Sequence, residues 1–289
     1  MSASEAPSMT HEEIGRWWRT GLIRIAPGEI EPGGYPVQEL IGRVSFVDTV
    51  WLMLRGELPD PRRSGLLEAA LVAAVDHGPQ APSIAAARMA ASCGVGLNNA
   101  VATGVNLLGD VHGGAGQQCV ALLEEMAARR ADGTPVESVA GEVVAEYRGR
   151  GAYVPGFGHR FHPRDPRRDP LLDLVREAVD DGVVPAGPLE AALALEEALA
   201  RGRGRPVPMN IDAATAVVHA SLGFPSELAR GLFVLSRSVG ILAHAWEERQ
   251  GGARIKGPLP RSVPAGYTGP ATRHLPEPGP EPSADRGRD

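Results

Sequence analysis

His159 sits in Pro155-Gly156-Phe157-Gly158-His159-Arg160, and Asp165-Pro166-Arg167 follows in the same loop. The two glycines let the backbone approach closely. A histidine so placed passes a proton at neutral pH, and an arginine beside it grips a carboxylate with two prongs. Three distant segments carry matching partners. His112 stands in Val111-His112-Gly113-Gly114-Ala115, Asp212 in Asn210-Ile211-Asp212, and Arg237 in Leu235-Ser236-Arg237-Ser238. Together these residue types suit removal of a proton beside a carbonyl. The Asp212 carboxylate takes the carbon-bound proton, His112 steadies the enol oxygen, and His159 serves the partner carbonyl. Arg167 and Arg237 are the candidates to anchor substrate carboxylates. A neutral His112 is expected, because the helix that follows it points its positive end that way.

Each of these residues also has a purely structural reading. Asp212 suits the first turn of any helix. His112 suits a turn before two glycines. His244, in Ala243-His244-Ala245-Trp246, reads as a core side chain, and His11, His162, His219 and His274 have no special context. The two cysteines, Cys93 and Cys119, form no CxxC pair, so no zinc site or disulfide framework is expected.

The elements that must hold these groups are helices. Alanine and leucine recur at helical spacing over 62–76, 83–93, 95–107, 114–131, 135–149, 169–181, 187–202, 210–221 and 226–249. Ser45 caps an apolar helix that ends at Gly56, and Thr10 to Glu13 read as a capping box opening a helix through Trp18. Residues 22–31 alternate around Pro27-Gly28 as a small hairpin. The long non-helical connection is 150–168, which holds the His159 loop. The class is all-α. The 289 residues carry 35 acidic against 29 basic side chains and only 4% aromatics. That balance excludes general affinity for nucleic acid or an anionic membrane. No uninterrupted apolar run of membrane-spanning length and no secretory signal is read, so the cytoplasm is the expected location.

In order along the chain stand Trp51-Leu52-Met53-Leu54-Arg55-Gly56-Glu57-Leu58-Pro59, His112-Gly113-Gly114-Ala115, the Pro155–Arg160 run with Asp165-Pro166-Arg167, Asn210-Ile211-Asp212, and Ser236-Arg237-Ser238-Val239-Gly240-Ile241-Leu242-Ala243-His244. This ordered set resembles the citrate synthase superfamily from about Gly21 to about Pro270. The resemblance implies that His112 stabilises an acetyl-CoA enol, that His159 acts on the oxaloacetate carbonyl or the citryl hydroxyl, and that Asp212 is the base that takes the acetyl proton. It implies that His77, Arg167 and Arg237 bind the dicarboxylate, and that main chain at Pro155, Gly156, Phe157 and Gly158 contacts coenzyme A. Acetyl-CoA or coenzyme A is then substrate or product, with no permanently bound cofactor and no metal. A homodimer is implied, as is a large domain (10–114 plus 223–270) with a smaller inserted domain (115–222). A Pro-rich, charged tail over 271–289 reads as disordered.

The chain departs from typical citrate synthases at Gly116-Gln117, where Asn-Glu is usual. It is one residue shorter between His159 and Arg167. Gly257 stands where an arginine normally reaches the neighbouring site, leaving Lys256 or Arg261 to replace it. That segment and Asp76-His77-Gly78-Pro79 are more similar to the short citryl-CoA lyases and the lyase module of ATP-citrate lyase, although this chain keeps His112 where that module lacks a histidine. A citryl-CoA lyase is the favoured expectation. Citrate synthase or 2-methylcitrate synthase is the alternative, and a catalytically silent CoA-binding helical module is the reading from another class.

Overall fold

The structure, a computed structural model, describes residues 9–159, 162–202, 206–260, 262–263 and 266–274. The fold is all-α, with one small hairpin. Helix α1 (His11–Trp17) opens on the Thr10–Glu13 capping box. Strands β1 (Ile23–Ala26) and β2 (Glu29–Pro32) pair antiparallel, with Arg24 opposite Glu31 and bonded to both its carboxylate oxygens at 2.9 and 2.6 Å. The one-turn α2 (Val37–Leu40) was not expected, because four residues are too few to show a helical period. Helix α3 (Phe46–Arg55) starts on the reciprocal Ser45–Asp48 box, and Asp60 caps α4 (Pro61–Ala74). Proline at the first position opens α5 (Pro82–Ser92). Then follow α6 (Leu97–Val105), α7 (Ala115–Arg129), α8 (Val136–Gly149), α9 (Arg168–Asp180), α10 (Gly187–Ala200), α11 (Ile211–Ser221) and α12 (Ser226–Gln250).

Helix α11 is the central rod. Nine of its 11 residues are buried, and it packs on α4, α7, α9 and α10. Alanines at 213, 214 and 216 let those helices close in. The main core runs from Trp51 and Leu67 through Val120, Met126, Leu172, Leu195 and Val217 to Leu232. A second cluster, including Ile84, Ala87, Ala100, Ile241 and Ala245, joins α5 and α6 to the second half of α12. Each fully buried Leu or Ile stabilises by about 1.5–3 kcal/mol, so both clusters fix helix positions firmly.

The main core crosses the boundaries expected at 115 and 222, and residues up to Lys256 form one compact unit. Residues 257–289 form a second, and its described part contains no helix or strand. The expected tail lies outside the described residues from 275 onward. Helix α12 has 25 residues and holds an 18-residue window with a mean hydropathy of 1.2, long and apolar enough to cross a membrane, but charged side chains such as Arg230 and Arg237 interrupt it, so it is not an uninterrupted apolar run. It packs on α4, α5, α6 and α7 and buries Arg237 and Glu248, as a core helix does.

Candidate active site

Two segments far apart in sequence are stitched together at the tip of α11. Phe157 forms an isolated antiparallel bridge with Met209. The Gly158 N–H donates to the Pro208 carbonyl (2.7 Å), and the Asn210 N–H donates to the Gly156 carbonyl (2.9 Å). The Asn210 side chain both donates to the Gly158 carbonyl (2.8 Å) and caps α11 by accepting from the Asp212 N–H (2.9 Å). Gly156 has φ +83°, and a Cβ there would stand 2.8 Å from the Ala213 Cβ and 2.9 Å from its nitrogen. Only glycine lets the loop lie on the first turn of α11. The stitching places His159 and Asp212 on one rigid corner.

Asp212 is the second residue of α11, in the half-buried mouth of the helix tip. Burial raises its carboxyl above the usual range, while Arg237 and Arg167 pull it down. Helix α7 lies close behind it. A Cβ on Gly116 would be 3.8 Å from the Asp212 carbonyl, and burial, with Asp212 nearby, pushes the Cys119 thiol up to about 12. Cys119 is therefore an inert core thiol.

His112 meets a helix end, but a different one from that expected. Its Nε2 accepts from the Ser83 N–H (3.3 Å), one of the unpaired donors in the first turn of α5, and lies 3.0 Å from the Ser83 hydroxyl. Because Nε2 accepts, the neutral ring carries its proton on Nδ1, which is a donor. Desolvation first, and Arg237 second, hold His112 below the usual histidine value. Burial and the charge of Arg237, rather than α7, thus hold His112 toward its neutral form.

His159 accepts at Nδ1 from the His162 N–H (3.0 Å), which puts the neutral ring's proton on Nε2. Its ring centroid lies 4.7 Å from that of His162 and 6.2 Å from that of His77. Desolvation outweighs the nearby Asp165 and holds its pKa down. His77, on the exposed turn after α4, is held down by desolvation and by Arg237 and Arg167. Arg237 is the hub, since its charge acts on His77, His112 and Asp212 alike.

The two arginines differ. Asp165 grips Arg167 twice (Nε to Oδ1 2.9 Å, Nη2 to Oδ2 2.8 Å), and also accepts from the Ile211 N–H (3.1 Å). Burial opposes the Asp165 charge, yet these bonds hold its carboxyl at about 2. Arg237 donates from Nε to the Ala74 carbonyl (3.0 Å), and its guanidinium stacks 4.9 Å over Phe233. Its other guanidinium nitrogens have no hydrogen-bond partner among the described residues.

His244 belongs to the site's wall. It contacts Asp76 at 3.3 Å through Nε2 and accepts from Arg88 at 3.1 Å through Nδ1, so it braces the turn that carries His77. Gly240 allows this, because a Cβ there would be 2.4 Å from the Val75 carbonyl. Lys256 holds both oxygens of the buried Glu248 carboxylate at 2.9 Å. It is therefore committed within its own chain and does not stand in for the arginine absent at 257. Arg261 lies outside the described residues.

Of the residues expected from sequence, the structure brings His77, His112, Arg167 and Asp212 within the electrostatic reach of Arg237, and sets His159 beside His77. Sequence reasoning missed Ser83, Asp165, Asn210 and His162. Ser83, after Pro82, and Asn210, before a helix, carried a legible capping signal. His162 acts through its main chain and carried none. Among the described residues no cluster of side chains suits a metal ion.

The citrate synthase C-terminal domain profile matches residues 53–258. The chain is 32% identical to the glyoxysomal citrate synthase of Cucurbita maxima over 226 residues, 76% of this chain and 41% of that protein. It is 31% identical to the citrate synthase of Haloferax volcanii over 219 residues, 75% of this chain and 53% of that protein. It thus spans about half the length of these relatives. The citryl-CoA lyase of Hydrogenobacter thermophilus superposes with a TM-score of 0.79 at 33% identity, covering 90% of this chain and 97% of that one. The chain belongs to the citrate synthase family and is of its short, citryl-CoA lyase-like type.

Proposed function

We propose that this chain makes or breaks the carbon–carbon bond between acetyl-CoA and oxaloacetate, and that its principal reaction is the cleavage of citryl-CoA. The observation that carries the reading is the likeness to the Hydrogenobacter citryl-CoA lyase across nearly the whole of both chains. In the condensing direction, the Asp212 carboxylate takes a proton from the acetyl methyl group. The Nδ1–H of His112 bonds the thioester oxygen as enol character builds. The Nε2–H of His159 bonds the oxaloacetate carbonyl oxygen and passes its proton to the alkoxide that forms as the enol carbon attacks that carbonyl. Arg237 and the Asp165-braced Arg167 hold carboxylates, with His77 beside them. The main chain of Pro155 to Gly158 serves coenzyme A. The Met209 side of the loop takes the Gly156 and Gly158 groups, and the bridge directs Phe157's own N–H and C=O to the other side.

Cleavage runs the same steps backwards. His159 takes the citryl hydroxyl proton as the bond breaks toward an enol held by His112, and the Asp212 carboxylic acid protonates the enol carbon. A carboxyl raised by burial supplies that acid form. Citrate synthase is the second reading, favoured by the His159 tautomer, which is set to donate to a carbonyl. The test supplies citryl-CoA to one sample and acetyl-CoA plus oxaloacetate to another. Rapid cleavage to acetyl-CoA is expected. Fast condensation with release of free coenzyme A, and negligible cleavage, would overturn the preference. Coenzyme A binding without turnover of either mixture would instead indicate the silent module.

A further inference from the structure

Helices α11 and α12 carry Asp212 and Arg237, and they meet at a four-residue elbow, Leu222-Gly223-Phe224-Pro225. The elbow is held by a residue from a third helix. Arg55, the last residue of α3, donates from Nη2 to the Leu222 carbonyl at 2.6 Å. Its guanidinium lies 4.5 Å from the centroid of the Phe224 ring. Phe224 is 1% exposed and meets Trp51 edge-on at 5.2 Å and His219 at 6.4 Å. Helix α3 is itself tied to α4, where the Ser64 hydroxyl donates to Asp48.

Two features mark the elbow as a joint rather than ordinary core. The Trp51 Nε1 and His219 Nε2 atoms, both on residues against Phe224, are buried without a hydrogen-bond partner among the described residues. Such groups are rare in a settled interior. A cavity of about 320 Å³, lined by Leu123, Ala127, Pro188, Ala191, Phe224 and Pro225, opens beside the same ring. Phe224 therefore has room to move on one side and few polar bonds to hold it on the other. The guanidinium of Arg55 supplies the directional restraint.

The leverage is large. Asp212 lies ten residues before Leu222, or about 15 Å along α11, so a turn of about 4° at the elbow moves it by about 1 Å. A displacement of that size in a reacting group costs about 10²-fold in rate. We propose that Arg55 is a positioning residue, which acts through the Leu222–Pro225 elbow to set Asp212 on α11 against Arg237 on α12. The kinetic part of this inference rests on the activity proposed above, whereas the elbow itself does not.

The test compares Arg55→Ala, Arg55→Lys and a surface control, Arg176→Ala, which removes only an exposed pair with Asp173 on α9. Each is assayed for cleavage and condensation at a temperature where its melting curve shows it folded, and its amide hydrogen exchange is followed. For Arg55→Ala, kcat is expected to fall at least tenfold, with KM for each substrate changed less than threefold. Arg55→Lys keeps a donor for Leu222 and a cation over Phe224, so it recovers most of the rate, and Arg176→Ala matches the parent. Exchange at Gly223 and Phe224, whose N–H groups bond Ala220 and His219 carbonyls, speeds up in Arg55→Ala while the α7 core stays protected. A folded Arg55→Ala with kcat within twofold of the parent overturns the proposal. So does exchange that accelerates evenly along the chain, which marks plain destabilisation. If the parent turns over neither substrate mixture, the functional reading fails, and the exchange pattern alone decides the elbow.

Discussion

Single side chains here are tuned by what surrounds them. Burial lifts the Asp212 carboxyl, while desolvation lowers both His112 and His159. The signs follow directly. In the proposed reaction, condensation needs Asp212 ionised, so its rate is expected to fall as pH drops through a value above the ordinary aspartate range of about 4. Cleavage needs the acid form, so its rate falls as pH rises through the same value. Both histidines stay neutral to below the usual histidine value of about 6.5, so they add no loss near neutrality. Opposite slopes of kcat against pH in the two directions are the expected result. Asp212→Asn removes the proton carrier and should lower kcat about 10²–10⁴-fold, with coenzyme A affinity unchanged by calorimetry.

At the scale of elements, the site depends on two close approaches. The Pro155–Gly158 loop lies on the start of α11 only because Gly156 has no Cβ, and α12 lies on the His77 turn only because of Gly240. Gly156→Ala combines a left-handed backbone with a contact against Ala213 backbone atoms. A strained position of this kind costs about 1–3 kcal/mol. The loop and α11 are expected to part, taking His159 away from Asp212. Kinetics should show a loss of kcat larger than the fall in melting temperature explains, and Gly141→Ala, in open space on α8, serves as the silent comparison.

For the whole molecule, the acid limit of stability should trace to a residue outside the chemistry. His219 is wholly buried, and burial lowers its pKa to about 4. The unfolded chain takes up this proton below about 6.5, while the folded one does not until about 4. Stability therefore falls as pH drops across that interval, by about 3 kcal/mol if His219 acts alone. It has no further dependence on this group below it. Urea titrations of the parent and of His219→Leu should diverge across that window, and parallel curves would sink the assignment. The division into a large domain (10–114 plus 223–270) and a small one (115–222) stays a proposal, and a single hydrophobic core crosses both boundaries.

The longer helices and the ordered motifs are legible in the sequence, whereas the one-turn α2 is not. Caps such as Ser45 with Asp48 and Asn210 with Asp212 are local, and helical period is written in ten to fifteen residues. The residue types of His112, His159 and Asp212 likewise carry the proposed chemistry without reference to any contact. Tertiary structure alone decided which nitrogen of each histidine carries its proton, because Ser83 meets His112 from 29 residues away and the fold of the loop sets His162 against His159. It decided that Asp165 occupies Arg167 and that Glu248 occupies Lys256, since ion pairing depends on which charges share a buried space. It also decided that burial, rather than the helix after His112, keeps that histidine neutral. Desolvation is a property of the assembled core, and no segment read alone contains it.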